Sequence, residues 1–167
     1  MTITPELKRI YASAPQDTRY IETLELRHSK FPAGPFYITN DLQTWDFLLE
    51  DGTQQLFKIL PFKLVLPNQD GRGQQDLTVT IDNIGQEAIE AIDAANTDPT
   101  ENIQVVYRVY LDRRLTLPQN DPPLRLTLTN VAITLESITG AATKADTLNR
   151  VFPSVLYRVD SFPGLDR

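Results

Sequence analysis

The run Leu77-Thr78-Val79-Thr80-Ile81 alternates apolar and hydroxylated side chains without a break, and it constrains the chain more than any other feature. Successive strand residues point to opposite faces, so this pattern makes a strand with one dry and one wet face. Such a strand needs neighbours to share its dry side. Residues 20–28 supply one, with Leu24 and Leu26 on one face and Glu25 and Arg27 on the other. Residues 36–39, 45–50, 55–60, 103–111 and 124–136 read as further strands, the last bent near Asn130. Asp51-Gly52 is a turn signal between two of them. The apolar stretch from Phe57 to Leu66 is broken at Pro61. Proline has no N–H to give a ladder, so Pro61 predicts a bulge or an edge position.

Two helices interrupt this pattern. Thr4 can cap, Pro5 suits the first helical position, and Glu6 favours the positive end of the helix dipole. That helix should stop before Pro15, with Leu7, Ile10, Tyr11 and Ala14 on one stripe. Asn83 with Gln86 three residues later forms a capping-box arrangement. It opens a helix over residues 84–95 that gathers Ile84, Ala88, Ala91, Ile92 and Ala95 on one face. The 12 prolines sit mostly at element ends, as in a loop-rich β protein. The expected fold is mainly β: an antiparallel β-sandwich or split barrel with one flanking α-helix, a short N-terminal helix and an extended C-terminal arm. A chain of 167 residues suits one domain. Residues 1–18 read as an N-terminal arm, 19–150 as the β core and 151–167 as a strap.

Composition removes several function classes. There is no Cys, which excludes disulfides and cysteine-based zinc sites, and His28 is the one histidine. The formal net charge of −6 argues against a general nucleic-acid binder and against docking on an anionic membrane. No apolar run approaches the roughly 20 residues of a membrane span. Residues 1–10 lack a basic stretch leading into an apolar core, so a classical secretory signal is not expected.

The candidate sites read blandly. His28 has no partner His or Cys nearby and reads as a surface or loop residue. Glu22 and Glu25 fall on opposite faces of one strand, so they are not an acid/base pair. Asp46, Glu50 and Asp51 read as a solvated acidic turn without calcium-loop spacing. Gly71-Arg72-Gly73 lacks the remaining elements of a phosphate cradle. Trp45, Tyr37 and Phe36 could form a sugar-stacking platform, but core packing is the favoured reading. No cofactor, metal site or catalytic residue is expected, and an enzyme is the least supported class.

Three segments together carry a resemblance. They are residues 62–84, from Phe62-Lys63-Leu64-Val65-Leu66-Pro67 to Ile84; the helix after it with the return strand Val105-Val106-Tyr107-Arg108-Val109-Tyr110; and the ending, Phe152-Pro153 and then Phe162-Pro163-Gly164-Leu165. In this order they resemble a family of tailed-bacteriophage tail proteins catalogued mainly as a domain of unknown function, often encoded just after the tape-measure protein. The resemblance implies a virion structural protein at the tail tip. It implies a ring like that of distal tail proteins, most simply a hexamer, contacting the tail tube, the tape measure and the hub. It supplies no catalytic residues. The net negative charge fits a lumen that DNA crosses without adhering. A carbohydrate- or receptor-binding β domain of the tail is the alternative.

The C-terminal segment is the expected contact arm. Each of its two Phe-Pro steps disfavours helix at the Phe, which keeps the chain extended. Phe152, Pro153, Tyr157, Phe162, Pro163 and Leu165 are the expected oligomer or partner contacts.

Overall fold

The alternating strands assemble into one mixed sheet of nine strands, order β4-β5-β3-β2-β8-β10-β11-β7-β6. The structure is a computed structural model that describes residues 2–13, 18–65, 77–82, 86–98, 101–134 and 137–144. In chain order the elements are β1 (Thr2–Ile3), α1 (Pro5–Ser13), β2 (Tyr20–Arg27), β3 (Phe36–Thr39), β4 (Trp45–Leu48), β5 (Gln54–Ile59), β6 (Phe62–Val65), β7 (Leu77–Asp82), α2 (Gln86–Asn96), β8 (Gln104–Leu111), β9 (Asn120–Asp121), β10 (Leu124–Ile133) and β11 (Ser137–Lys144). The pairings in the large sheet are antiparallel except β3 with β5, which run parallel. A separate two-stranded ladder joins β1 to β9.

Register assigns the two faces. Leu24 lies opposite Tyr107 and Leu26 opposite Val105, so these four share a face. Leu126, Val79, Ile81 and Ile138 continue it, and Ala91, Ile92 and Ala95 of α2 pack against it as one buried cluster. The opposite face of β2 and β8 carries Ile21, Thr23 and Glu25 against Tyr110, Arg108 and Val106.

That second face is covered by the β4–β5 hairpin. In a flat sheet β4 would lie four strands from β8, roughly 19 Å away at the usual spacing. Instead the Phe47 ring stacks on Tyr110 with centroids 4.0 Å apart and planes at 1°. The sheet therefore curls back on itself. Ile21, Trp45, Phe47, Leu49, Phe57 and Tyr110 form a second buried cluster inside the fold. The result is a mainly β protein of sandwich or split-barrel type with a flanking helix.

Local signals act as read. Thr4 Oγ1 accepts from the Leu7 N–H at 3.3 Å and caps α1. Gly52 takes φ 81° in the hairpin turn, a conformation glycine adopts without strain. Pro61 sits just before the sheet-edge strand β6, and its carbonyl accepts the Asp82 N–H at 2.9 Å. Asn130 has φ 52° where the β10–β11 register slips between Thr129 and Ala132, which is the expected bend. Two expectations change. β11 appears as a full strand that its small, weakly apolar residues conceal. Tyr11 does not join Leu7 and Ile10 in the buried stripe; it is 48% exposed. Among the described residues no helix is long and apolar enough to cross a membrane.

Candidate interaction sites

The expected contact residues Phe152, Pro153, Tyr157, Phe162, Pro163 and Leu165 lie outside the described residues, as do Gly71-Arg72-Gly73 and the cap Asn83. The aromatic trio does not form a platform. Trp45 is 6% exposed and stacks parallel to Phe47 inside the second core. Phe36 and Tyr37, adjacent on β3, pack into different clusters on opposite faces. His28 is the expected loop residue, directly after β2, but not a surface one: it is buried. Its Nδ1 accepts the Lys30 N–H at 3.1 Å, so its Nε2–H donates to the Glu101 carbonyl at 3.1 Å. That is a loop-fastening role. Among the described residues no group of three or more His, Cys, Asp or Glu could hold a metal ion.

The acidic turn is solvated as read, with Glu50 and Asp51 exposed, and its three carboxylates have separate tasks. Asp46 pairs with Arg114 at 2.6 Å. Asp51 Oδ1 accepts the Thr53 N–H at 2.8 Å within the turn. Glu50 closes on Arg108 through a fork, Nε to Oε1 at 2.7 Å and Nη2 to Oε2 at 3.1 Å.

Arg108 is the centre of a buried ionic cluster that sequence reasoning missed. Its residue is 1% exposed and Glu25 is 0% exposed. Arg108 Nη1 donates to Glu25 Oε2 at 2.6 Å, and Arg27 donates to the other Glu25 oxygen. Two guanidinium groups thus face two carboxylates, and the cluster is neutral as a whole. Burial alone would lower the Arg108 pKa, but the hydrogen bonds it donates to Glu50 and Glu25 outweigh it and hold it above the ordinary value. The cluster fastens the hairpin turn to the β2–β8 face.

The outer side of that hairpin mixes polar and apolar groups: Gln54 and Lys58 are exposed beside Leu56. Leu56 lies opposite Asp46. On the other flank of β4, the Leu115 N–H donates to the Asp46 carbonyl at 2.8 Å and the Leu48 N–H to the Thr116 carbonyl at 3.1 Å. This brings Leu115 and Leu117 beside β4, and Leu56, Leu115 and Leu117 are each about half exposed. Leu115 adopts φ 58°, a left-handed conformation that costs roughly 1–2 kcal/mol for a residue with a Cβ.

A polar cleft of about 210 Å³ opens where β2 begins and β3 ends, lined by Arg19, Tyr20, Ile21, Glu22, Asn40 and Asp41. Helix α1 brings Tyr11 edge-on to Tyr20, ring centroids 5.0 Å apart at 69°. The Tyr107 hydroxyl donates to Glu22 Oε1 at 2.7 Å. Burial first, then the Tyr20 and Glu22 oxygens, push the Tyr11 phenol pKa up. Asp41 is committed elsewhere: its Oδ2 accepts from the Trp45 indole at 2.6 Å and from Arg19 at 3.3 Å. Glu22 faces this cleft while Glu25 is buried on the other face, as their spacing requires.

No curated protein matches the chain in sequence. The family model for the domain of unknown function DUF1833 matches residues 6–157, from the first turn of α1 into the C-terminal segment. The chain belongs to the DUF1833 family.

Proposed function

We propose that the chain is a structural subunit of a phage tail tip. It oligomerises into a ring, most simply a hexamer, that joins the tail tube and its tape measure to the tail hub. Its work is adhesion and symmetry, with no reaction chemistry and no cofactor. DNA crosses the lumen, and the subunit resides in the virion after assembly in the host cytoplasm. The resemblance of residues 62–84 and 105–110 to tail proteins supports this reading, and both segments fall inside the family match.

The observation that carries it is the set of half-exposed leucines, Leu56 on the outer hairpin with Leu115 and Leu117 beside it. Clustered exposed leucines mark interaction surfaces, and Leu115 keeps its place at the cost of backbone strain. The patch lies beyond one face of the curled sheet, while α2 covers the other with Glu90 and Asp93 outward. Contacts between such opposed surfaces are heterologous, the kind that close into rings.

The test is light scattering and electron microscopy of the purified chain beside Leu115→Asp and a truncation after Asp160. The expected result is a closed ring for the native chain, with smaller species for both variants and unchanged circular dichroism. A native chain that stays monomeric at high concentration, and hangs singly on the outside of intact particles, would overturn the reading.

A further inference from the structure

We propose that the cleft at the facing ends of β2 and β3, beside the Tyr11–Tyr20 ring pair, binds an organic cation, a guanidinium or alkylammonium group. This site does not depend on ring assembly.

The argument begins with Glu22. Its carboxylate is half-buried, and its one hydrogen-bonding partner among the described residues is the Tyr107 hydroxyl at 2.7 Å. A phenol orients a carboxylate without neutralising it. The other carboxylate of the cleft, Asp41, is already paired with Arg19, the only cation of the lining among the described residues. The described lining therefore carries one uncompensated negative charge. Beside it stand Tyr20, 43% exposed, and Tyr11, 48% exposed, held edge to face. Tyr20 and Glu22 are two residues apart on β2, so their side chains share a face.

A carboxylate flanked by exposed aromatic rings is complementary to a cation with a delocalised or alkylated charge. The rings attract it through their quadrupole and the carboxylate through its charge. A neutral sugar could stack on the same rings but would leave the charge of Glu22 uncompensated. An anion would be repelled by it. The volume of about 210 Å³ accommodates the cationic head together with part of an alkyl stem. Such a group could come from an arginine or lysine side chain of a protein neighbour, or from a free polyamine.

Nuclear magnetic resonance titration of the full chain tests this with two probes, N-acetyl-arginine methylamide and spermidine, and with maltose as the neutral control. At least one cation should shift the Tyr11 and Tyr20 ring signals in a saturable way at millimolar concentration, and added salt should weaken the effect. Glu22→Gln should lose at least about fivefold in affinity. Tyr20→Leu should lose a similar factor, with circular dichroism unchanged for both. Preference for the capped arginine assigns the site to a protein neighbour, and preference for spermidine to a polyamine. No shift with either cation, equal binding by Glu22→Gln, or binding of maltose as strong as that of the cations would each overturn the proposal.

Discussion

Replacing Arg108 by Met tests how the hairpin is held. The side chain links Glu25 on β2 to Glu50 in the hairpin turn, positions 83 and 58 residues away in the chain. Met fills most of the arginine's stem volume, so the loss is chiefly electrostatic. It strands the Glu25 carboxylate, 0% exposed, with Arg27 alone. Breaking one side of a buried ion pair costs about 3–5 kcal/mol, because the remaining charge stays buried without its partner. In a chain of this size that is a fall in Tm of roughly 6–20 °C. The double variant Arg108→Met/Glu25→Leu removes the stranded charge, so it should regain most of the loss. Arg27 is half exposed and can turn to water. Urea unfolding followed by the fluorescence of Trp45, the one tryptophan and a member of the hairpin core, gives the midpoints. At constant m, midpoint shifts translate directly into stability. A single variant within about 1 kcal/mol of the native chain, or a double variant no better than the single, would refute the claim that neutralising Glu25 is what Arg108 does.

Phe47→Ala should cost about 3–5 kcal/mol, because it empties the space between Tyr110 and Phe57, and calorimetry reads the loss. Gly140→Ala should cost about 1–3 kcal/mol by overpacking, since its Cβ would meet Leu128 Cδ1 at 2.8 Å; urea unfolding that shows no loss would mean Leu128 has room to move. Acid should weaken the Glu50–Arg108 contact in a defined direction. Burial raises the Glu50 pKa, but Arg108 and the backbone lower it by more, so it lies below the ordinary 4.5 in the folded chain. A depressed carboxylate contributes stability above its unfolded pKa and loses it as pH falls through the folded value. The gap in urea midpoint between the native chain and Glu50→Gln should therefore be constant above about pH 5, no more than about 1 kcal/mol for this partly exposed pair, and close as pH falls from there through the depressed folded value. A gap that persists at low pH would place the effect of Glu50 in packing.

What could be read along the chain was what depends on near neighbours. The period of Leu77-Thr78-Val79-Thr80-Ile81, the cap at Thr4, the turn at Asp51-Gly52, the edge at Pro61 and the bend at Asn130 are each written in a few adjacent residues. β11 escaped because Gly140, Ala141 and Ala142 carry almost no apolar signal. Its glycine has a reason only when Leu128 is seen packed against it from β10. Tyr11 obeys the helical stripe yet stays exposed, because what lies opposite it is the half-exposed Tyr20. The interaction sites were hidden for the same reason. Glu22 and Glu25 look alike in the sequence, and their spacing places them only on opposite faces. One meets two tyrosines at an open cleft, and the other meets Arg108 under a hairpin.

The sequence by itself determined a mainly β chain, the dry face of each alternating strand and the places where strands must turn, because those follow from side-chain alternation and backbone dihedrals within a few residues. Only the tertiary structure decided that β4 and β5 would fold over the β2–β8 face, bury Arg108 between two carboxylates and leave leucines outward. Burial is a property of what packs opposite a residue, and in a curled sheet the partner can come from any distance along the chain.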